Sequence, residues 1–344
     1  MERIAFISGG IFIYWSSIIL SLAALAAITI FAATYLGKND DIVGVSVTIP
    51  VAMAASLVLS RLIHWYCRAD AYESMKVALT DYTKGGYALM GVFIACLAVA
   101  AILKLLRVVK HLLQMYDSMA IGAGIGIAVG RLASLFNASD RGMALPESVS
   151  FPFAFPVTNT VSGLMENRLA TFMIQSGVAG ALVVLLVLYM VISKVCKHKI
   201  PDGDIALIFL LVYGASQIIC DSTRYDSLFL RSNGFVSVVQ ILGLVAMVVP
   251  IVVFSVRAVM QMGIKWGQFV AWVLILGMMG LAGYMEYYVQ RHGNEAAFAY
   301  SVMAAALVGI VLVTLVLRAV AGAAGRKKAV RTAMAEEAAE AQLV

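Results

Sequence analysis

Nine apolar stretches of membrane-crossing length recur along this chain. They lie near residues 10–36, 43–66, 87–106, 116–136, 170–193, 204–221, 235–256, 267–286 and 297–320. Nothing constrains the fold more, because backbone N–H and C=O groups in a hydrocarbon layer must pair within the protein. About 20 apolar residues in helical form satisfy that demand and span the layer. Composition agrees: the chain is 62% hydrophobic and 13% charged, with a mean hydropathy of +0.94. A soluble domain is nearer half apolar and a quarter charged. The expected fold is therefore all-α, a polytopic membrane protein of about nine transmembrane helices. The first run is long and carries no small-residue cleavage site before a soluble domain, so it reads as a retained helix.

Charge supplies an orientation. With the N-terminus outside, the inner segments hold Lys38, then Lys104, Arg107 and Lys110, then Lys194, Lys197 and Lys199, then Arg257 and Lys265. The tail adds Arg326, Lys327, Lys328 and Arg331. These compact groups at span ends follow the positive-inside rule. The net charge of +6 thus reads as topology, and no clustered basic face on a soluble domain calls for a nucleic acid. On this orientation residues 137–169, with three of the six prolines, form a small extracytoplasmic head with short strands. Residues 323–344 form a cytoplasmic tail. The absence of an internal repeat and of paired broken spans argues against a transporter.

No residue pattern calls for a metal or cofactor. Cys67, Cys96, Cys196 and Cys220 lack CxxC spacing, and His64, His111, His198 and His292 stand apart from one another. Cys67 and Cys220 both fall near the outer surface, which leaves a disulfide between them open.

The stretch "IGAGIGIAVGRLASLFN" carries the sharpest signal. Gly122, Gly126, Gly130 and Ser134 recur every four residues and make a smooth stripe for a neighbouring helix, widened by Gly124 and Ala128. Arg131 ends the apolar run. An arginine at the bilayer centre costs about 2.5–3.5 kcal/mol on insertion scales, so it calls for snorkelling, an acidic partner such as Asp117, or a phosphate. A guanidinium binds phosphate through a planar two-point fork.

"GRLASLFNASDRG" resembles the signature of the prolipoprotein diacylglyceryl transferases. Other pieces follow in that family's order: "IYWSSIILSLA", "LSRLIHWY", "GGYALMGVFIA", "YDSMA", "ENRLATFMIQS", "VYGASQIICDSTRYDS" and "VSVVQILG". The resemblance covers about residues 10–256. It implies a seven-span core over 1–256 with its N-terminus outside, in a bacterial plasma membrane. Residues 257–322 then add two further spans, which either cover a lipid-entry gap or dock a partner membrane protein.

By resemblance, the activity is transfer of a diacylglyceryl group from phosphatidylglycerol to the cysteine thiol of a lipobox-containing membrane peptide. That chemistry needs cations to hold the departing phosphate and a base to take the thiol proton. Retained positions are Gly91, Asp117, Gly130, Arg131, Asn137, Gly142, Arg168, Tyr213, Gly214 and Arg224. Phosphatidylglycerol or another anionic phospholipid would then meet Arg131, Arg224, Arg168, Asn137 and Gly130.

Four departures fall at Ser16, Met90, Ser134 and Gln217, where the family has Tyr, His, Asn and Arg. The signature acid falls on Ser139, the His-Pro after Arg168 is Leu169-Ala170, and the glutamate of the Tyr-Gly element is shortened to Asp221. Met90 cannot accept a proton and reads as packing; Gln217 carries no charge. Tyr213 and Asp221 are the remaining candidates for base duty. Two functions stay open: a transferase with an altered mechanism, or a catalytically inactive descendant that binds an anionic phospholipid or a membrane protein. Three further residues have structural readings. Asp117 caps the helix it begins, Arg61 snorkels from the end of the second span, and Tyr213 is an interfacial aromatic.

Overall fold

The computed structural model describes residues 4–81, 85–137, 139–146, 148–149, 151–158, 163–230, 233–292 and 295–341. They form two compact units, one ending at Leu244 and one beginning at Val245.

The first unit opens with a hairpin, β1 (Ile4–Ser8) against β2 (Ile11–Tyr14). Gly9 and Gly10 make its turn with φ of +57° and +82°, values that glycine adopts without a Cβ penalty. The first helix therefore starts at residue 15 rather than near 10. Helices α1 (Trp15–Leu36), α2 (Ile42–Cys67), the short α3 (Met75–Thr80), α4 (Leu89–Leu105) and α5 (Leu112–Gly130) follow. The head then contributes β3 (Ala154–Thr158), paired antiparallel in register with β4 (Met165–Leu169). Next come α6 (Thr171–Val195), α7 (Asp204–Ser222), β5 (Phe229–Leu230), β6 (Asn233–Ser237) and α8 (Val238–Met262), within which the two units divide. The second unit continues with α9 (Trp266–Arg291) and α10 (Ala296–Ala341).

Eight of these helices are long and apolar enough to cross a membrane, and α4 is a shorter apolar helix among the described residues. The protein is a polytopic helical membrane protein, and its helices coincide with the nine apolar runs of the sequence.

The glycine stripe sets the closest packing. A Cβ on Gly122 would stand 2.6 Å from the Ala27 carbonyl oxygen, and one on Gly126 would stand 2.9 Å from the Ala27 Cβ, so α1 and α5 approach as only glycine allows. Gly124 does not widen this face. It turns the other way, where a Cβ would lie 2.3 Å from a Val183 methyl group.

Two basic loops end helices by one device. Arg107 after α4 and Lys197 after α6 adopt left-handed φ values of +62° and +54°. The amides of the residues after them reach back to the Leu103 and Ser193 carbonyls, at 2.9 and 2.7 Å. These are Schellman closures with a cation at the negative end of the helix dipole. The four cysteines are free thiols, and Cys220 is buried.

In the second unit Ala258 packs with Leu317 and Ala321, and the Trp272 indole donates to the Ser255 hydroxyl at 3.0 Å.

Candidate functional site

The signature helix α5 runs out of α-helical geometry at Gly130, and Arg131–Leu135 continue as a 3₁₀ turn. This turn carries Arg131 off the helix and toward the head. Its side chain, 13% exposed, neither snorkels nor meets Asp117; its Nη1 donates to Asp140 Oδ1 at 2.6 Å. Arg224, just past the end of α7, places its own Nη1 2.8 Å from the same carboxylate oxygen. Ser134 donates to the other oxygen, Oδ2, at 2.8 Å.

Asp140 is thus the hub, and it stands one residue after the position of the signature acid. The chain reaches it through a left-handed backbone, φ +58° at Asp140, a conformation that Asp tolerates better than most residues. Ser139, at the signature position, instead donates its amide and hydroxyl to Asn137 Oδ1.

Two further carboxylates complete the group. Asp226 accepts from Arg224 Nε at 2.9 Å and from the Asp140 amide at 3.0 Å. Asp221, on the last turn of α7, lies 3.8 Å from Arg224 and accepts from the Ser237 hydroxyl. Ser237 also caps α8: its hydroxyl accepts from the Gln240 amide and its amide donates to the Gln240 side chain, a capping box spelled "SVVQ". Burial by itself would raise the Asp140 carboxyl, but the guanidinium groups of Arg131 and Arg224 outweigh it and hold the carboxyl down to about 2. The same attraction, with Asp226 added, outweighs burial at Arg224 and pushes its guanidinium above the ordinary arginine value.

A cavity of about 320 Å³ opens on this group. Arg131, Asp140, Asp221, Arg224 and Asp226 line it together with Met90 at the start of α4 and His64 near the end of α2. Met90 is therefore a wall of the cavity as well as a packing residue.

The other expected site residues fall elsewhere. Tyr213 is not interfacial. It is 4% exposed, its ring lies 5.3 Å from that of Phe209 and 5.6 Å from that of Phe93, and its buried hydroxyl sits beside Arg131. Among the described residues that hydroxyl has no hydrogen-bond partner of good geometry, and neither has Arg131 Nε. Arg168 on β4 pairs with Glu166 at 2.5 Å and covers the Tyr225 ring at 4.6 Å, outside the cavity lining. Asn137 serves the turn beneath Asp140, accepting from Ser139 with its side chain and from Arg141 with its carbonyl. Gly130 packs 3.5 Å, as measured from an added Cβ, from the Ala23 Cβ. Ser16 lies in the first turn of α1. Arg231 lies outside the described residues.

Gln217 has a different partner from any the sequence suggested. It accepts a hydrogen bond from Gln175 Nε2 at 3.1 Å, and both side chains are 1% exposed. The two buried amides meet without placing any charge between α6 and α7.

Two other arginines hold the surroundings. Arg61 is 1% exposed and does not snorkel; it donates to the Ala78, Asp81, Gly85 and Gly86 carbonyls at 2.6–2.9 Å, between the Tyr72 and Tyr87 rings. Arg141 donates to the Ser134 and Asn137 carbonyls and lies 4.3 and 4.4 Å from the Phe155 and Phe172 rings, which ties the head to α6. Asp117 caps a helix, but not its own. It accepts from the Gly203 and Ala206 amides at 2.8 and 2.9 Å and so closes the N-terminus of α7.

A family model described as prolipoprotein diacylglyceryl transferase matches residues 3–284. The chain belongs to this family. The match extends into α9, beyond the span of the motifs. Curated relatives are distant. The phosphatidylglycerol–prolipoprotein diacylglyceryl transferase of Clostridioides difficile is 22% identical over 261 residues, covering 74% of this chain and 96% of that protein. That of Finegoldia magna is 24% identical over 251 residues, covering 70% and 92%. That of Lactococcus lactis is 25% identical over 265 residues, covering 75% and 95%.

Proposed function

We propose that this multi-pass membrane protein transfers a diacylglyceryl group from phosphatidylglycerol to the thiol of a lipobox-containing membrane peptide, in a form altered from its relatives. The observation that carries this is the cavity holding Arg131 and Arg224 on one shared carboxylate. Two guanidinium groups 2.6 and 2.8 Å from Asp140 are fixed in orientation before any lipid arrives. Preorganised cations stabilise the charge that grows on a departing phosphate without reorganising during the step. Asp140 holds them in place, and the entering phosphate shares or displaces its oxygen. Asp221 and its Ser237 partner fix Arg224 from the other side. Gln217 supplies no cation, and loss of one such donor costs about 10²–10³ in rate.

We place the N-terminus and the head outside and the tail in the cytoplasm, on the pattern of basic loops. The family match ends at residue 284, so we read the chain beyond it, with α10, as the addition to the transferase core.

The test uses purified protein in phosphatidylglycerol vesicles with a lipobox peptide. Mass spectrometry then follows the thioether-linked diacylglyceryl peptide. Slow turnover that Arg131→Ala abolishes is expected. A second reading rests on a specific feature: three carboxylates face two guanidiniums in the resting cavity, which weakens it as an anion site. On that reading the protein is an inactive descendant that retains lipid without turnover. No product, with phosphatidylglycerol retained by wild type and lost in Arg131→Ala, would favour it. Equal retention by both proteins would end the phosphate-site assignment.

A further inference from the structure

Transfer to a thiol needs a proton acceptor, and the position of the family histidine is Met90. The cavity lining narrows the alternatives. Asp140 is engaged by Arg131, Arg224 and Ser134, and Asp226 by Arg224 and the Asp140 amide. Asp221 accepts from Ser237 and faces Arg224. Held down to about 2 by its two guanidiniums, the Asp140 carboxylate is a weak base. Tyr213 is buried outside the lining.

His64 remains. It comes from α2, lines the same cavity as Met90, and is half-buried. Its Nδ1 lies 2.9 Å from the Tyr72 hydroxyl, and that hydroxyl also lies 3.2 Å from the Gly85 carbonyl oxygen. A phenol has one proton. With it on Gly85, the imidazole proton sits on Nδ1 and is donated to Tyr72, and Nε2 keeps its lone pair. Nε2 has no hydrogen-bond partner among the described residues. Space for this arrangement is built in. Gly86 has φ of +110°, and a Cβ there would fall 2.5 Å from His64 Cε1 and 2.6 Å from the Tyr72 hydroxyl. Arg61 clamps the same loop through the Gly85 and Gly86 carbonyls.

We propose that His64 is the catalytic proton acceptor of this protein, with Tyr72 as the positioning residue that fixes its tautomer. The inference rests on the transferase function proposed above. The thiol S–H proton passes to His64 Nε2 as the sulfur attacks the glyceryl carbon next to the phosphate. The C–S bond forms, the C–O bond breaks, and its electron pair leaves with glycerol phosphate. The imidazolium proton then passes to that phosphate. Charged and titratable groups around the ring are Arg61 and Arg68 on its own helix, Tyr72 and Tyr87 from the loop, and Arg131, Asp140, Asp221, Arg224 and Asp226 in the rest of the lining.

The experiment is the pH dependence of transfer in phosphatidylglycerol vesicles for wild type, His64→Gln, His64→Ala, Tyr72→Phe and Asp221→Asn, with melting temperatures recorded for each. Wild-type rate should rise with pH through a single inflection of imidazole type. His64→Gln should lower kcat about 10²–10⁴-fold and remove the inflection. Added imidazole should restore part of the rate to folded His64→Ala. Tyr72→Phe should retain the inflection at a rate reduced several-fold. A His64→Gln protein with wild-type rate and inflection overturns the proposal, as does loss of the inflection in Asp221→Asn alone. Both outcomes leave the transferase function standing. No product from wild type at any pH overturns the transferase function and His64 with it.

Discussion

Asp140→Asn isolates the charge at the centre of the site. Asparagine keeps the size of the side chain and one acceptor oxygen for Ser134 or an arginine, but it leaves Arg131 and Arg224 without the carboxylate they share. Breaking a buried pair from one side typically costs about 3–5 kcal/mol. Asp221 and Asp226 remain to offset part of the exposed cation charge, which puts the expected loss near the lower end, at about 3 kcal/mol. The depressed Asp140 carboxyl gives a figure of the same order. The drop of the Asp140 carboxyl from 3.8 to about 2 corresponds to about 2 kcal/mol of added stability for the charged form. The sign follows from the depressed value. That contribution is fully present above the unfolded carboxyl's range, and it disappears as pH falls from about 4 through about 2. Thermal unfolding in detergent at pH 7 should therefore show Asp140→Asn melting roughly 4 °C below wild type. The gap should close as the two proteins are taken from pH 5 toward pH 2, because wild type then loses what the variant has already lost. A variant melting within a degree of wild type at pH 7 would refute the hub assignment, and so would a gap that stays constant down to pH 2.

Two more substitutions test the framework around the site. Asp117→Ala should unfold more easily by about 2–3 kcal/mol, since it leaves the Gly203 and Ala206 amides buried without an acceptor; faster hydrogen exchange confined to the first turn of α7 is the check, and unchanged protection there would count against the capping role. Gly91→Ala should lower thermal stability by about 1–3 kcal/mol, because its Cβ would stand 2.4 Å from Ser60 Cα and 2.5 Å from Ser60 N, both backbone atoms that cannot turn aside. An unchanged melting temperature would mean that α2 and α4 separate at no cost.

The spans were legible in the sequence because a membrane asks one thing of each segment, a run of apolar residues of fixed length, and that is local information. The glycine stripe on α5 was legible for the same reason: a four-residue period marks a helix face whatever packs on it. The initial hairpin could also have been found, since "ISGGIF" places a two-glycine turn between apolar residues, but the longer apolar run masked it. Arg131 was found as a site residue because a cation at a span end demands an explanation, whereas Arg224 came only from the family resemblance.

What each cation meets was not legible. Asp140 meets both cations through a left-handed backbone, and a pattern that compares positions cannot see where such a turn aims a side chain. Gln217 read as a lost charge by itself, and nothing in the sequence tied it to Gln175, its hydrogen-bond partner across α6 and α7. Arg61 and Asp117 were each assigned to their own helix, whereas their partners lie 17–25 and 86–89 residues away in sequence. Helix length follows from hydrophobicity alone. The pairing of buried polar groups depends on rotation and depth of one helix against another, which many side chains settle together, so only the tertiary structure decided it.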